Sequence, residues 1–310
     1  MEGLFYFRGM QKQPELLSKG DKVGIIAPSR VITEEQMAKA FEVFDEWELE
    51  VIKGESLFAK EGYFAGTDSQ RRADLQRMID DPEIKAIFCA RGGYGMTRII
   101  DQIDLTNFIK RPKWVIGFSD ITALHLALNR KGIESVHGLM PVQYDYMGVE
   151  ESLASLRQLL FEGTVRYEVA SDANNRHGEC TAEVVGGNLS LVAESLGTST
   201  EIDAAGKILI LEEIDEYLYK IDRMFMQLRR SGKLESLAGV IIGDFSQMKD
   251  TQIPFGKSVF DLIAAHFEGL EIPIAYNFPV GHEARNLAIP IGRKMKLEVL
   301  KDVVRLSDAV

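Results

Sequence analysis

The chain has 310 residues, 45% of them hydrophobic and 27% charged, and a formal net charge of −11. These proportions suit one large or two mid-sized globular domains and exclude disordered, collagen-like and coiled-coil classes. The acidic balance carries no basic tract, which argues against nucleic-acid binding, and no apolar run nears the roughly 18 residues a membrane-spanning helix needs.

Leu4-Phe5-Tyr6-Phe7 is too short for the apolar core of a signal peptide, and Met10 offers an alternative start. Val23–Ala27 reads as a buried strand stopped by Pro28-Ser29, and Glu34–Trp47 as a helix with Met37, Phe41 and Phe44 on one face. Strands follow at Leu49–Ile52, Ile84–Ala90 and Trp114–Phe118, alternating with helices at Gln70–Ile79, Thr97–Ile103 and Asp120–Asn129. Continuous apolar strands alternating with helices predict a parallel sheet covered on both faces. The rhythm breaks at 161–179, where Ser171–Gly178 is polar and turn-rich. The expected division is an N-terminal α/β domain over 10–165, a linker over 166–179 and a C-terminal α/β domain over 180–310.

In the second unit, strands are expected at Ala182–Val185, Lys207–Leu211, Val240–Ile242 and Ile274–Phe278. Helices are expected at Asn188–Leu196, with Gly197 as its C′ residue, and at Ser258–Phe267. Ile214, Leu218, Ile221, Phe225 and Leu228 recur at helical spacing. The tail from Leu287 to Val304 reads as antiparallel strands turning at Gly292-Arg293. Cys89 lies in an apolar run and Cys180 in a polar stretch, so no disulfide framework is indicated and a cytoplasmic protein is expected.

Ligands of open parallel sheets gather beyond the carboxyl ends of the strands, and four such ends carry useful groups. Gly117-Phe118-Ser119-Asp120 joins a strand to a helix, a place where a serine hydroxyl projects toward helix N–H groups; Ser119 or Asp120 acting only as a cap is the plainer reading. Arg91-Gly92-Gly93-Tyr94-Gly95 follows a strand and lets the backbone approach a ligand, or makes a tight turn only. It is no dinucleotide fingerprint, because Arg98 stands where the last glycine belongs. Leu211-Glu212-Glu213 puts a carboxylate where it can orient an imidazole, or enriches the next helix start in acid. Val280-Gly281-His282 posts a histidine at a late strand end as a general base, against simple surface exposure. His125 and His266 fall inside helix patterns and His177 in the linker, while His137 is structural or supports the site from behind. Neither H-E-x-x-H nor paired cysteines occur, so no metal and no cofactor is called for.

At these residues the chain resembles the serine LD-carboxypeptidases, the muramoyltetrapeptide carboxypeptidase group that also holds the microcin C self-immunity peptidases. The likeness runs from Gly20–Ser29 through Ala90–Gly95, Ile116–Thr122, Gly186–Leu189, Leu211–Glu213 and Gly281-His282 to Pro290–Gly292. It implies an amidotransferase-like N-terminal domain and a smaller C-terminal α/β domain, with the site in the cleft between them. It also implies a Ser–Glu–His triad on Ser119, Glu212 and His282, and an oxyanion hole from the backbone N–H groups of Asp120 and Gly92. The family's Leu-Glu-Asp is here Leu-Glu-Glu, so Glu212 matches the motif and Glu213 replaces the aspartate.

The implied activity is metal-free removal of the terminal D-alanine from murein tetrapeptides in peptidoglycan recycling, by a cytoplasmic enzyme that is commonly a homodimer. A microcin-type peptidase acting on aminoacyl-nucleotides is the alternative, and would require an aromatic platform for the base; Trp47 and Trp114 read as core. A non-catalytic peptide-binding protein is the alternative outside enzymes. Arg91 and Arg285 both lie beside site motifs as cations for a substrate carboxylate.

Overall fold

A computed structural model describes residues 12–309; the Leu4–Phe7 run and Met10 lie outside them. Strands β1 (Lys22–Ile26), β2 (Glu50–Lys53), β3 (Ile84–Cys89), β4 (Trp114–Gly117) and β5 (Ser135–His137) build a first, parallel sheet. β3 and β4 are buried almost throughout, as strands covered on both faces must be. Helices Glu34–Glu46 and Asp68–Asp80 each start at a threonine, Thr33 and Thr67, with a reciprocal glutamine three residues on. Two backbone donors are thereby satisfied at each helix start.

The second sheet holds β6 (Arg166–Ala170), β7 (Gly178–Asn188), β8 (Ile208–Ile214), β9 (Gly239–Ser246) and β10 (Ile274–Ala275). The chain then gives β11 (Ile289–Ile291) to the first sheet before returning with β12 (Lys294–Val299) and β13 (Val303–Asp308). Strand orders are β11-β5-β4-β3-β1-β2 and β10-β9-β8-β7-β12-β13-β6. One buried cluster runs from Val23 and Ala86 of the first sheet to Val184, Ile208 and Leu297 of the second. Among the described residues no helix is long and apolar enough to cross a membrane.

Several local expectations change. The stretch expected as a linker contains β6, whose alternating burial lets it pair with β13 at the sheet edge. The tail's strands are antiparallel but divide between the sheets: β11 pairs with β5 while β12 pairs with β7 and β13, so Gly292-Arg293 turns the chain from one sheet to the other. Ile214 belongs to β8, not to the following helix, which starts at Leu218 after Asp215 takes φ 59°. Thr97–Ile103 forms two 3₁₀ turns, and only Ile274–Ala275 of the expected 274–278 strand pairs.

Candidate active site

The Ser119 turn follows β4. Gly117 leaves no room for a side chain, since a Cβ there would stand 2.8 Å from the Ile121 side chain. That closeness folds the chain sharply into the 3₁₀ turn Ser119–Ile121 and the helix Thr122–Asn129. Ser119 sits at φ 61°, a left-handed conformation costing a non-glycine residue about 1–2 kcal/mol. Such strain concentrates where a side chain must be aimed. His125 braces the turn from below: one ring nitrogen donates to Gly117 O and the other accepts from Ser135 Oγ, each at 2.8 Å. Burial pushes its pKa down to about 4, so it is a neutral core histidine.

The glycine loop closes over this turn. A Cβ on Gly92 would lie 3.3 Å from Ser119 Cβ, and the Gly92 N–H donates to no acceptor among the described residues. Asp120 offers more than the backbone N–H expected of it. Its buried carboxylate accepts from the Ser29 hydroxyl and from Met96 N–H at 2.8 Å, lashing the end of β1 and the glycine loop to the Ser119 turn. Burial raises its pKa against the pull of those hydrogen bonds.

Glu212 and His282 arrive from the second sheet and the loop beyond it. Parallel register sets Glu212 of β8 beside Asn188 of β7, and Asn188 N–H donates to Thr122 Oγ1 at 3.0 Å. Gly187 permits that approach, because any Cβ there would meet Thr122 Oγ1 at 2.6 Å. The end of β7, beside Glu212 of β8, is thus pinned to a residue three along from Ser119. Gly281, at φ 139° and with a virtual Cβ 3.2 Å from Glu212 Cβ, lays the next loop on the same carboxylate. His282 Nδ1 then pairs with Glu212 Oε2 at 2.7 Å, the Glu212 side chain being wholly buried and that of His282 15% exposed. An Nδ1–H given to a carboxylate leaves Nε2 with its lone pair free for a proton. The ring of Phe118, the residue before Ser119, packs 4.8 Å from the His282 ring.

Burial works against the charged imidazolium of His282, but the surrounding carboxylates, Glu212 foremost with Glu213 and Asp244, together raise the pKa above the ordinary histidine value. Glu213 is otherwise employed, accepting from Asn188 Nδ2, from Ser190 N–H and Oγ, and from its neighbour Ile214 N–H. Asp244, at the end of β9, accepts from Glu283 N–H at 3.1 Å and steadies the His282 loop; burial pushes its pKa up to about 7. Behind Phe118 lies His137, fully buried and kept neutral, with neither ring nitrogen bonded among the described residues.

The sequence matches two family models. The LD-carboxypeptidase N-terminal domain matches residues 23–138, and the LD-carboxypeptidase C-terminal domain matches residues 181–297. The chain belongs to the LD-carboxypeptidase family. It is accordingly a hydrolase of the serine carboxypeptidase class. A Bacillus subtilis (strain 168) protein named "Probable murein peptide carboxypeptidase" is 37% identical over 317 residues, spanning 100% of this chain and 98% of its own. The muramoyltetrapeptide carboxypeptidase from Oxalobacter formigenes superposes with a TM-score of 0.85 at 25% identity, over 93% of this chain and 99% of its own. The microcin C7 self-immunity protein shares the fold, with a TM-score of 0.85 at 18% identity over 96% of this chain and 98% of its own.

The structure brings Ser119, Gly92, Asp120, Glu212 and His282 to adjoining loop ends. Arg285 is taken up by a two-pronged pair with Glu151 at 2.7 and 2.9 Å. Both tryptophans are core residues, so neither is an exposed platform for a nucleobase. Sequence reasoning missed Ser29, Thr122 and Asp244 as parts of the site. Ser29 stands just past the end of β1, the position in the first sheet equivalent to the other site loops, and that was its one available signal.

Proposed function

We propose that this LD-carboxypeptidase family member removes the terminal D-alanine from murein tetrapeptides by a Ser119–Glu212–His282 triad that needs no metal. The observation that carries the reading is the buried Glu212–His282 pair held against the ring of Phe118, next to a serine in a left-handed turn. His282 Nε2 takes the Ser119 hydroxyl proton as Oγ attacks the carbonyl carbon. Glu212 holds the tautomer and stabilises the imidazolium that forms. The N–H groups of Gly92 and Asp120 receive the developing oxyanion; one such donor is worth about 3 kcal/mol in serine hydrolases. His282 then protonates the leaving amine, and water releases the acyl group from Ser119.

The substrate reading follows the relatives' names, and the expected setting is the cytoplasm, where released wall peptides are reused. A homodimer is the expected assembly, and sedimentation of the purified protein checks it. The function test is D-alanine release from a murein tetrapeptide in the presence of chelator, followed by mass spectrometry. Release that disappears in Ser119→Ala supports the triad. No release by the wild type, with cleavage of an aminoacyl-nucleotide instead, gives the alternative substrate class; tight peptide binding with no product gives the non-catalytic one.

A further inference from the structure

An enzyme that removes one terminal residue must recognise a chain end, and that end is a carboxylate. Two arginines beside the glycine loop have no acidic partner among the described residues. Arg91, the residue directly before Gly92, is half-buried, and its guanidinium donates only to the Val31 carbonyl at a long 3.3 Å. Arg30 is exposed, with its guanidinium carbon 5.3 Å from the centroid of the Tyr63 ring. Neighbouring arginines differ: Arg71 and Arg98 both pair with Asp68, and Arg285 with Glu151. A chain of net charge −11 has acids in excess, so two adjacent guanidiniums left without one form a local site for an anion.

Placement ties the pair to the chemistry. Gly93, at φ 110°, has no room for a side chain; its Cβ would stand 2.6 Å from Tyr63 Oη and 3.0 Å from Arg30 Cβ. Gly92, one residue earlier, faces Ser119 Cβ. One face of this two-glycine turn therefore meets the serine, while the other meets Arg30 and Tyr63, and Arg91 leads into it. In a bound peptide the terminal carboxylate lies about one residue length, ~3.8 Å, beyond the scissile carbonyl. Burial and the nearby charge of Arg30 both work against the protonated form of Arg91, a penalty that an arriving carboxylate relieves.

We infer that Arg91, with Arg30 beside it, binds the free α-carboxylate of the residue being removed and so restricts cleavage to the last peptide bond. The inference rests on the carboxypeptidase reading above. A guanidinium fork matches a carboxylate in two parallel hydrogen bonds, which an ammonium cannot reproduce. A peptide extended by one residue carries its carboxylate out of reach, and a C-terminal amide offers none.

The test compares kcat/KM for a murein tetrapeptide with a free C-terminal D-alanine and for the same peptide ending in D-alaninamide. Wild type, Arg91→Gln, Arg91→Lys, Arg30→Gln and Arg285→Gln are assayed, with thermal unfolding recorded for each. The acid-to-amide ratio falls by about 10- to 100-fold in Arg91→Gln, as expected for losing a hydrogen bond between charged groups. It falls less in Arg91→Lys, which keeps charge without the fork, and in Arg30→Gln, and it holds in Arg285→Gln. If Arg91→Gln fails to fold, the ratios of Arg91→Lys and Arg30→Gln decide the matter. A wild-type ratio kept in all Arg91 and Arg30 variants that still release D-alanine, or a collapse in Arg285→Gln instead, overturns the inference while leaving the function standing. A wild type that releases no D-alanine overturns both.

Discussion

Glu212→Gln separates the roles of the two adjacent glutamates most sharply. Its carboxylate is fully buried and 2.7 Å from His282 Nδ1, so little water screens the pair. Unit charges with centres about 4 Å apart attract by about 4 kcal/mol at an effective dielectric of 20. That attraction is fully expressed only once His282 becomes an imidazolium. Removing it slows turnover by about 10³-fold. A glutamine amide that donates to Nδ1 would also favour the tautomer with its proton on Nε2, facing the serine, and carry the loss toward about 10⁴-fold. The pH profile supplies a second reading. Only neutral His282 accepts the serine proton, so kcat/KM rises with pH through the His282 pKa, which Glu212 holds above the ordinary value. Without Glu212 the main upward pull on the imidazole is lost, and the acid limb moves to lower pH as the plateau drops. D-alanine release measured from about pH 5 to 9, across the histidine range, tests both effects. A loss below tenfold, an acid limb that stays or moves upward, or a larger activity loss in Glu213→Gln would refute the assignment.

Two further outcomes follow from backbone and packing. Ser119→Gly and Ser119→Ala both lose turnover, but the glycine variant is more stable by about 1 kcal/mol because φ 61° strains any residue with a Cβ; denaturant unfolding reads the difference, and equal midpoints would deny the strain. Thr122→Val removes the acceptor for Asn188 N–H without changing shape, costing about 1–3 kcal/mol in urea unfolding and reducing kcat as the end of β7, beside Glu212, loosens; Thr122→Ser restores both, and a stable, active valine variant would show that this bond does not set the site.

The four site loops were legible because each closes a continuous apolar strand, and parallel topology puts such ends on one edge. Val115-Ile116 announces the turn at Ser119, and Ile208–Leu211 announces Glu212. The family motif pointed to Glu212 rather than Glu213, and the tertiary contacts give the physical difference between them: adjacent strand residues face opposite ways, one toward His282 and the other toward Ser190. The Ser29–Asp120 bond joins residues 91 apart, a separation at which no spacing pattern speaks. Ile214 fits the helical period yet lies in β8, because one apolar residue on the right phase does not outweigh strand pairing with Ser246. At Gly292-Arg293 the turn was readable, while the choice of partner strand was not.

That choice governs how the protein is made. β5 stays an open edge until residues 289–291 emerge from the ribosome and add β11 beside it. Between the synthesis of β5 and that of β11, about half of the chain, the sheet that leads into Ser119 therefore shows an unpaired rim to other nascent chains, the kind of surface that invites edge-to-edge association. A fragment ending at the end of β10 would keep Ser119 and Glu212 yet carry this rim permanently. The turn that carries Ser119 thus gains its complete sheet late, after almost all of the chain has been synthesised.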